Sequence, residues 1–175
     1  MAQADFSPVA ETVRVFDFSL TRPTEGSPTQ YTIGDVIADS LSAATILKIT
    51  DAFRFDGAGN LITSLRVSTD NKLWAGTQIR FYIYNASVTA QNDNAAFAQL
   101  YANVAKGAGY IDITFDSAAT GASTDMVAGQ NTTDRLGIQA PTDGNDIYII
   151  PVILTASTPT SAQKFYGKLT VIQGG

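Results

Sequence analysis

Between residues 78 and 85 the chain reads Gln78-Ile79-Arg80-Phe81-Tyr82-Ile83-Tyr84-Asn85. Side chains along a strand repeat every two residues, so Ile79, Phe81 and Ile83 share one face and Arg80, Tyr82 and Tyr84 the other. The first set belongs to a core; the second faces outward or toward a partner. The same period recurs in short runs. In residues 13–20, Phe16, Phe18 and Leu20 fall together, and residues 47–55 put Leu47, Ile49, Phe53 and Phe55 on one parity. Residues 61–68, 110–115, 147–155 and 164–172 complete the set of strands. Asp56-Gly57-Ala58-Gly59-Asn60 supplies a turn, so residues 47–55 and 61–68 are expected to form a hairpin. Pro151 has no amide hydrogen, which predicts an edge or bulged strand at 147–155.

Other segments break the period. Residues 92–102 are Ala-rich, open on Asn92 and Asp93, and space Phe97, Leu100 and Tyr101 at i, i+3, i+4, predicting one short helix. Pro23, Gly26 and Pro28 mark a loop over 22–28. Residues 117–130, rich in Ala, Gly, Ser and Thr, read as a long exposed loop. Residues 1–12 show no period and contain Pro8; they read as an N-terminal arm, ordered only where something receives it. The expectation is therefore all-β: an arm at 1–12, then a single antiparallel β-sandwich domain over 13–175 with one short helix. A jelly roll is the favoured variant, because it pairs most edges in two facing sheets.

Composition agrees with this class and narrows the chemistry. Apolar residues are 45% of the 175, enough for a core, and only 15% are charged. Glu11 and Glu25 are the only glutamates, which argues against long exposed helices. With no His and no Cys there is no Ser-His-Asp triad, thiol nucleophile, zinc site, iron–sulfur cluster or disulfide. A net charge of -5 without a basic run disfavours nucleic acid as a partner. The strongly apolar stretch 147–154 is too short to span a bilayer, so no membrane partner is expected. The first five residues lack the basic and apolar regions of a secretion signal, predicting synthesis in a cytoplasm without export by that route.

Candidate sites are few. Asp112 with Asp116, and Asp143 with Asp146, are carboxylate pairs of the kind that runs glycoside hydrolysis. Asp is also the ordinary turn residue, and that reading is preferred. Asp56 to Asn60 and Asp143-Gly144-Asn145-Asp146 offer oxygen ligands for calcium, but neither matches the twelve-residue loop with its closing Glu. Gly57 and Gly59 lack the Gly-Lys-Ser/Thr of a phosphate loop. Asn85-Ala86-Ser87 and Asn131-Thr132-Thr133 fit the glycosylation pattern, which arises often by chance. Trp74, among Asn71, Lys72, Ala75 and Gly76, is expected in a loop. With Tyr82 and Tyr84 it could form a platform for sugar or protein, or it could close one end of the sandwich as core. No cofactor, no metal and no enzymatic activity are expected.

Several stretches carry a resemblance. Leu20-Thr21-Arg22-Pro23, Tyr31-Thr32-Ile33-Gly34-Asp35-Val36-Ile37-Ala38-Asp39-Ser40, residues 79–85, Asp93-Asn94-Ala95-Ala96-Phe97 and Thr158-Pro159-Thr160-Ser161-Ala162-Gln163-Lys164-Phe165 resemble, in order and spacing, small virion proteins of tailed bacteriophages. The resemblance is to capsid decoration (cement) proteins, and it implies a β-sandwich on the outer shell, commonly trimeric, with no catalytic motif. On that reading the major capsid protein is the partner. The chain would then be made in the bacterial host cytoplasm and end on the virion surface. The expected contact residues are Phe6, Pro8 and Val9 of the arm and the outward Tyr82 and Tyr84. A second expectation is a glycan- or host-surface-binding module (a head-fibre or adhesin component) using Trp74 with nearby Asn or Asp. A third is a hydrolase relying on carboxylates alone.

Overall fold

The computed structural model describes residues 11–54, 57–116, 126–132, 134–141 and 144–174. Nine strands and one helical turn follow in chain order: β1 (Thr12–Thr21), β2 (Leu47–Ile49), β3 (Gly59–Thr69), β4 (Gln78–Tyr84), α1 (Tyr101–Val104), β5 (Gly107–Thr114), β6 (Val127–Asn131), β7 (Leu136–Gln139), β8 (Ile147–Ile153) and β9 (Lys164–Gln173). One sheet runs β1-β9-β3-β6, with β7 also on β3; the other runs β2-β8-β4-β5. Every pairing is antiparallel.

The strand order has a simple origin. β6 pairs with residues 65–69 of β3 and β7 with residues 59–62, so the two lie end to end and act as one interrupted strand. Counted that way, the first strand pairs with the last, the second with the last but one, β3 with β6/β7, and β4 with β5. This is a single long hairpin with β4–β5 at its tip. Rolling it up brings β9 onto β3 and β8 onto β4, which makes an eight-stranded jelly roll.

Alternation decides the core. Phe18, Leu20, Ile62, Leu65, Val67, Phe165, Leu169 and Val171 from one sheet meet Ile49, Ile79, Phe81, Ile83, Ile111, Ile113, Ile147, Ile149 and Ile153 from the other. Trp74 closes one end from a 3₁₀ turn (Lys72–Trp74) capped by the Asn71 side chain, which accepts from the Leu73 amide at 3.1 Å. A second, smaller core lies outside the β2-β8-β4-β5 sheet. There Val36, Ala38 and Val88 cover Tyr84, Ile150 and Val152, with Tyr82, Phe97 and Tyr148 packed against them.

Four expectations are corrected. Residues 47–55 and 61–68 do not form a hairpin: β2 pairs with β8 and β3 with β9, in opposite sheets, and Asp51 turns the chain between them at φ 53°. The helix expected at 92–102 shrinks to Tyr101–Val104. Asp93 is held by side chains distant in sequence, Asn94 takes a left-handed φ of 59°, and Ala96 bridges to Asp35. Within 117–130, residues 127–130 belong to β6 rather than to a loop, while 117–125 lie outside the described residues. In β6 Gly129 is small because the neighbouring strand is close: a Cβ on it would come 2.2 Å from the Thr114 carbonyl oxygen.

Finally, β8 is an interior strand despite Pro151. The Leu154 amide donates to the Gln78 carbonyl, which fixes the parity: Val152 and Ile150 direct their amides at β4, and Pro151 faces the other way. On that side β2 has ended, and the Pro151 carbonyl accepts from the Ile37 amide at 3.0 Å. The missing donor therefore costs the β4 ladder nothing.

Candidate interaction surface

The structure separates the expected contact residues. Trp74 is 1% exposed; its ring meets Tyr31, Phe115 and Phe165 at 6.1, 6.2 and 5.3 Å, and its Nε1 donates to the Thr158 carbonyl at 2.9 Å. Of its two expected placements, it takes the core one and closes an end of the sandwich, so it offers no exposed platform. Tyr82 and Tyr84 do leave the main core, but what they face is their own chain. Tyr82 stacks on Phe97 at 4.5 Å and 23°, and Tyr84 is buried, which pushes its hydroxyl up to about 12. Phe6, Pro8 and Val9 lie outside the described residues.

Two of the carboxylates considered for hydrolysis or calcium, Asp112 and Asp146, are engaged in ion pairs. Asp112 takes both arms of Arg80, Nε and Nη2 each at 2.8 Å, and that guanidinium also lies 3.7 Å over the Tyr110 ring. Asp146 pairs with Lys48 at 2.7 Å and accepts from the Asp51 amide at 3.2 Å. Asp116 donates its backbone amide to Ala128 at 2.9 Å in an isolated bridge between β5 and β6. Asp56 and Asp143 lie outside the described residues. The Asn131 side chain caps a local turn with Asp134 at 2.7 Å. Among the described residues there is no cluster of three potential metal ligands.

Four of the stretches singled out in the sequence meet at one buried point. Arg22 reaches Asp93 Oδ2 at 2.6 Å, Glu25 Oε1 at 2.8 Å and the Thr160 carbonyl at 2.9 Å, and its Nε donates to the Tyr31 hydroxyl at 2.5 Å. The Tyr31 hydroxyl donates to Asp93 Oδ1 at 2.5 Å, where the Ala38 amide also arrives at 2.8 Å. Burial raises the Tyr31 hydroxyl far above its ordinary range. Every partner is internal, so the group is a lock on four loops rather than a reacting centre. The sequence pattern did not reveal it, because the paired residues stand up to 138 positions apart.

What the fold leaves bare is the outer face of the β1-β9-β3-β6 sheet. Registers place its side chains in cross-strand rows: Val13, Ile172, Leu61; Val15, Thr170, Ser64; Asp17, Lys168, Arg66, Gln130; and Ser19, Tyr166, Ser68. Lys168 holds Asp17 at 2.9 Å, and hydrogen bonds from Lys168 and then Tyr166 keep that carboxyl below its ordinary value. Ser64 and Thr170 hydroxyls meet at 2.8 Å. Val13 and Val15 remain 65% and 57% exposed. Beyond this face, α1 and β5 carry a second exposed group: Leu100, Val104, Tyr110, and Tyr101 at 93% exposure. Leu100 and Tyr101, whose spacing suggested a longer helix, both stand in solvent.

Among the described residues, the exposed sheet ends in an open edge. The Arg22 amide donates to Gln163, its register partner, at 2.9 Å, and the Lys164 carbonyl is turned toward β3, where it accepts from Asp70. In an antiparallel pair bonding alternates, so Thr12, Arg14, Phe16, Phe18 and Leu20 bond to β9. Val13, Val15, Asp17, Ser19 and Thr21 turn their N–H and C=O groups away from it, to the side where β1 has no strand neighbour among the described residues. The other edges are blunted. β2 is three residues long, with the segment around Val36 bridging to β8 beyond it, and β5 and β6 close on each other through the Asp116 bridge and the Asn131 amide on the Asp112 carbonyl.

No family model matches the chain, and no curated protein matches its sequence. Among solved structures it is similar to the vertex protein P5 of PRD1, at 10% identity and a TM-score of 0.38, over 91% of this chain and 97% of that one. It is also similar to a structure titled the capsid of Ralstonia phage GP4, at 14% identity and a TM-score of 0.40, over 100% and 92%. A cleaved adhesin domain of Lys-gingipain from Porphyromonas gingivalis follows at 13% and 0.31, over 80% and 71%. The jelly-roll assignment rests on this chain's own strand order.

Proposed function

We propose that this chain is a structural virion protein that seats on the outer surface of a phage capsid and stabilises contacts between major capsid subunits, as a trimer. The observation that carries this reading is the division of its surface. One sheet is sealed on its outer side by the chain's own loops. The other presents a broad face of Thr, Ser, Tyr and paired charges, with a long unpaired edge. A hydroxyl-rich face suits repeated contact with a symmetric shell, where many modest sites act together. The resemblance of five stretches to small tailed-phage virion proteins points the same way. The engagement of Asp112 and Asp146 in ion pairs gives the carboxylate-hydrolase reading no support. The glycan-binding reading loses Trp74, the residue on which it stood.

The test is to purify the protein, determine its mass by light scattering, and sediment it with capsids from its own source. Co-sedimentation of a trimer, with heads that release their DNA at a higher temperature, is the expected result. A protein that stays in the supernatant at every ratio overturns the reading.

A further inference from the structure

The edge of β1 differs from the edges that folded proteins usually leave open. Soluble proteins protect such rows of N–H and C=O groups with short strands, proline, bulges or lysine, because an unprotected row templates pairing with another chain. β1 has none of these devices. It is ten residues long, its register with β9 is unbroken, and it contains neither Pro nor Lys. Its outward-facing backbone groups are flanked by the exposed side chains of Val13 and Val15. We infer that this edge receives an extended segment of the capsid subunit on which the protein sits, adding a strand to the β1-β9-β3-β6 sheet through Val13, Val15, Asp17, Ser19 and Thr21. The inference rests on the capsid reading above for the identity of the partner.

Chemistry selects an extended segment of another protein over a second copy. Two copies related by a twofold axis could pair β1 with β1, but the full-length register sets Asp17 directly opposite Asp17, and like charges facing across a ladder oppose pairing. A head-to-tail arrangement needs a second open edge, and β1 supplies the only long one among the described residues. A segment carrying apolar side chains beside Val13 and Val15 and no anion beside the Asp17–Lys168 pair avoids both obstacles. Ladder hydrogen bonds supply the affinity and the alternate side chains the choice of partner.

The parity of β1 gives a selective test. Proline at Val15 or Ser19 removes a donor that faces away from β9, so the sheet itself keeps its bonds. Val15→Pro and Ser19→Pro are made singly and together. Near-native thermal unfolding of each establishes that it folds. In sedimentation with capsids, the double proline variant is expected to lose at least about tenfold in affinity relative to the wild type. Amide hydrogen exchange supplies an independent reading on the wild-type protein. The amides of Val13, Val15, Asp17, Ser19 and Thr21 exchange fast in the free protein and slow in the capsid-bound one.

The outcomes separate the two claims. Capsid binding with unchanged exchange at these five amides, or undiminished binding by a folded double proline variant, overturns the strand addition and leaves the capsid reading standing. Protection that grows with protein concentration in the absence of capsids assigns the edge to a second copy and overturns it too. Absence of capsid binding by the wild type overturns both.

Discussion

Gly167 stands opposite Phe18 across the β1–β9 ladder, and a Cβ placed on it would lie 2.0 Å from the Phe18 Cζ. Glycine is required there because the ring occupies the volume a side chain would fill. Gly167→Ala should displace the ring and destabilise the fold by about 1–3 kcal/mol, read by urea denaturation. The buried lock sets larger stakes. Asp93→Ala leaves the Arg22 guanidinium, 2% exposed, without its closest anion, and is expected to cost about 3–5 kcal/mol; Tyr31→Phe removes only a bridging hydroxyl and should cost about 1–3 kcal/mol. Tyr31 and Tyr84 both hold their protons more tightly when folded. The stabilisation tied to those protons is complete below the ordinary tyrosine value of about 10 and is lost as pH climbs through the folded values, about 12 for Tyr84. Unfolding free energy should therefore fall with pH in that alkaline window, and fall less steeply in Tyr84→Phe. None of these roles is visible in the sequence, where Arg22 sits in a proline loop and Asp93 resembles a helix cap. Their partners are supplied by the fold.

At the scale of elements the sequence was most readable where one face is buried. Residues 78–85 and 164–172 alternate because their other face meets water or a thin second layer; both are strands, and the first turns the expected Ile79, Phe81 and Ile83 inward. Alternation fails where a strand is buried on both sides. In β8 the unbroken run from Ile147 to Ile153 serves two cores, Ile147, Ile149 and Ile153 inward and Ile150 and Val152 outward. That run was the better signal, and Pro151 misdirected the reading toward an edge. Pro151→Ala is accordingly expected to shift stability by less than about 1 kcal/mol, because no β4 hydrogen bond is at stake. Ile150→Pro, one residue away, removes a donor directed at β4 and should cost about 3 kcal/mol or more, as measured by thermal unfolding. Pattern reading failed differently at β6, where Ala128 and Gly129 look like loop residues but are small because the β5 backbone passes so near. The candidate surface was the least legible part. The outward parity of Tyr82 and Tyr84 was right, but the loops that cover them lie at 34–46 and 88–97, without periodicity of their own.

Across the whole molecule, rolling one long hairpin makes nearly every pairing distant in sequence, with Thr12 of the first strand set against Gln173 of the last. Loop closure over such separations is slow, so refolding from denaturant should take milliseconds to seconds, as followed by Trp74 fluorescence in stopped flow. The same pairing has a mechanical consequence. Thr12 and Gln173 meet at one end of the β1–β9 ladder, while Thr21 and Lys164 meet at the other. Tension entering at Thr12 and leaving at Gln173 peels the ladder one hydrogen-bonded pair at a time. A pull along the length of β1 loads all its pairs in parallel, as shear. The molecule is thus anisotropic under force, weak when drawn apart at Thr12 and Gln173 and strong when gripped along its flank at β1.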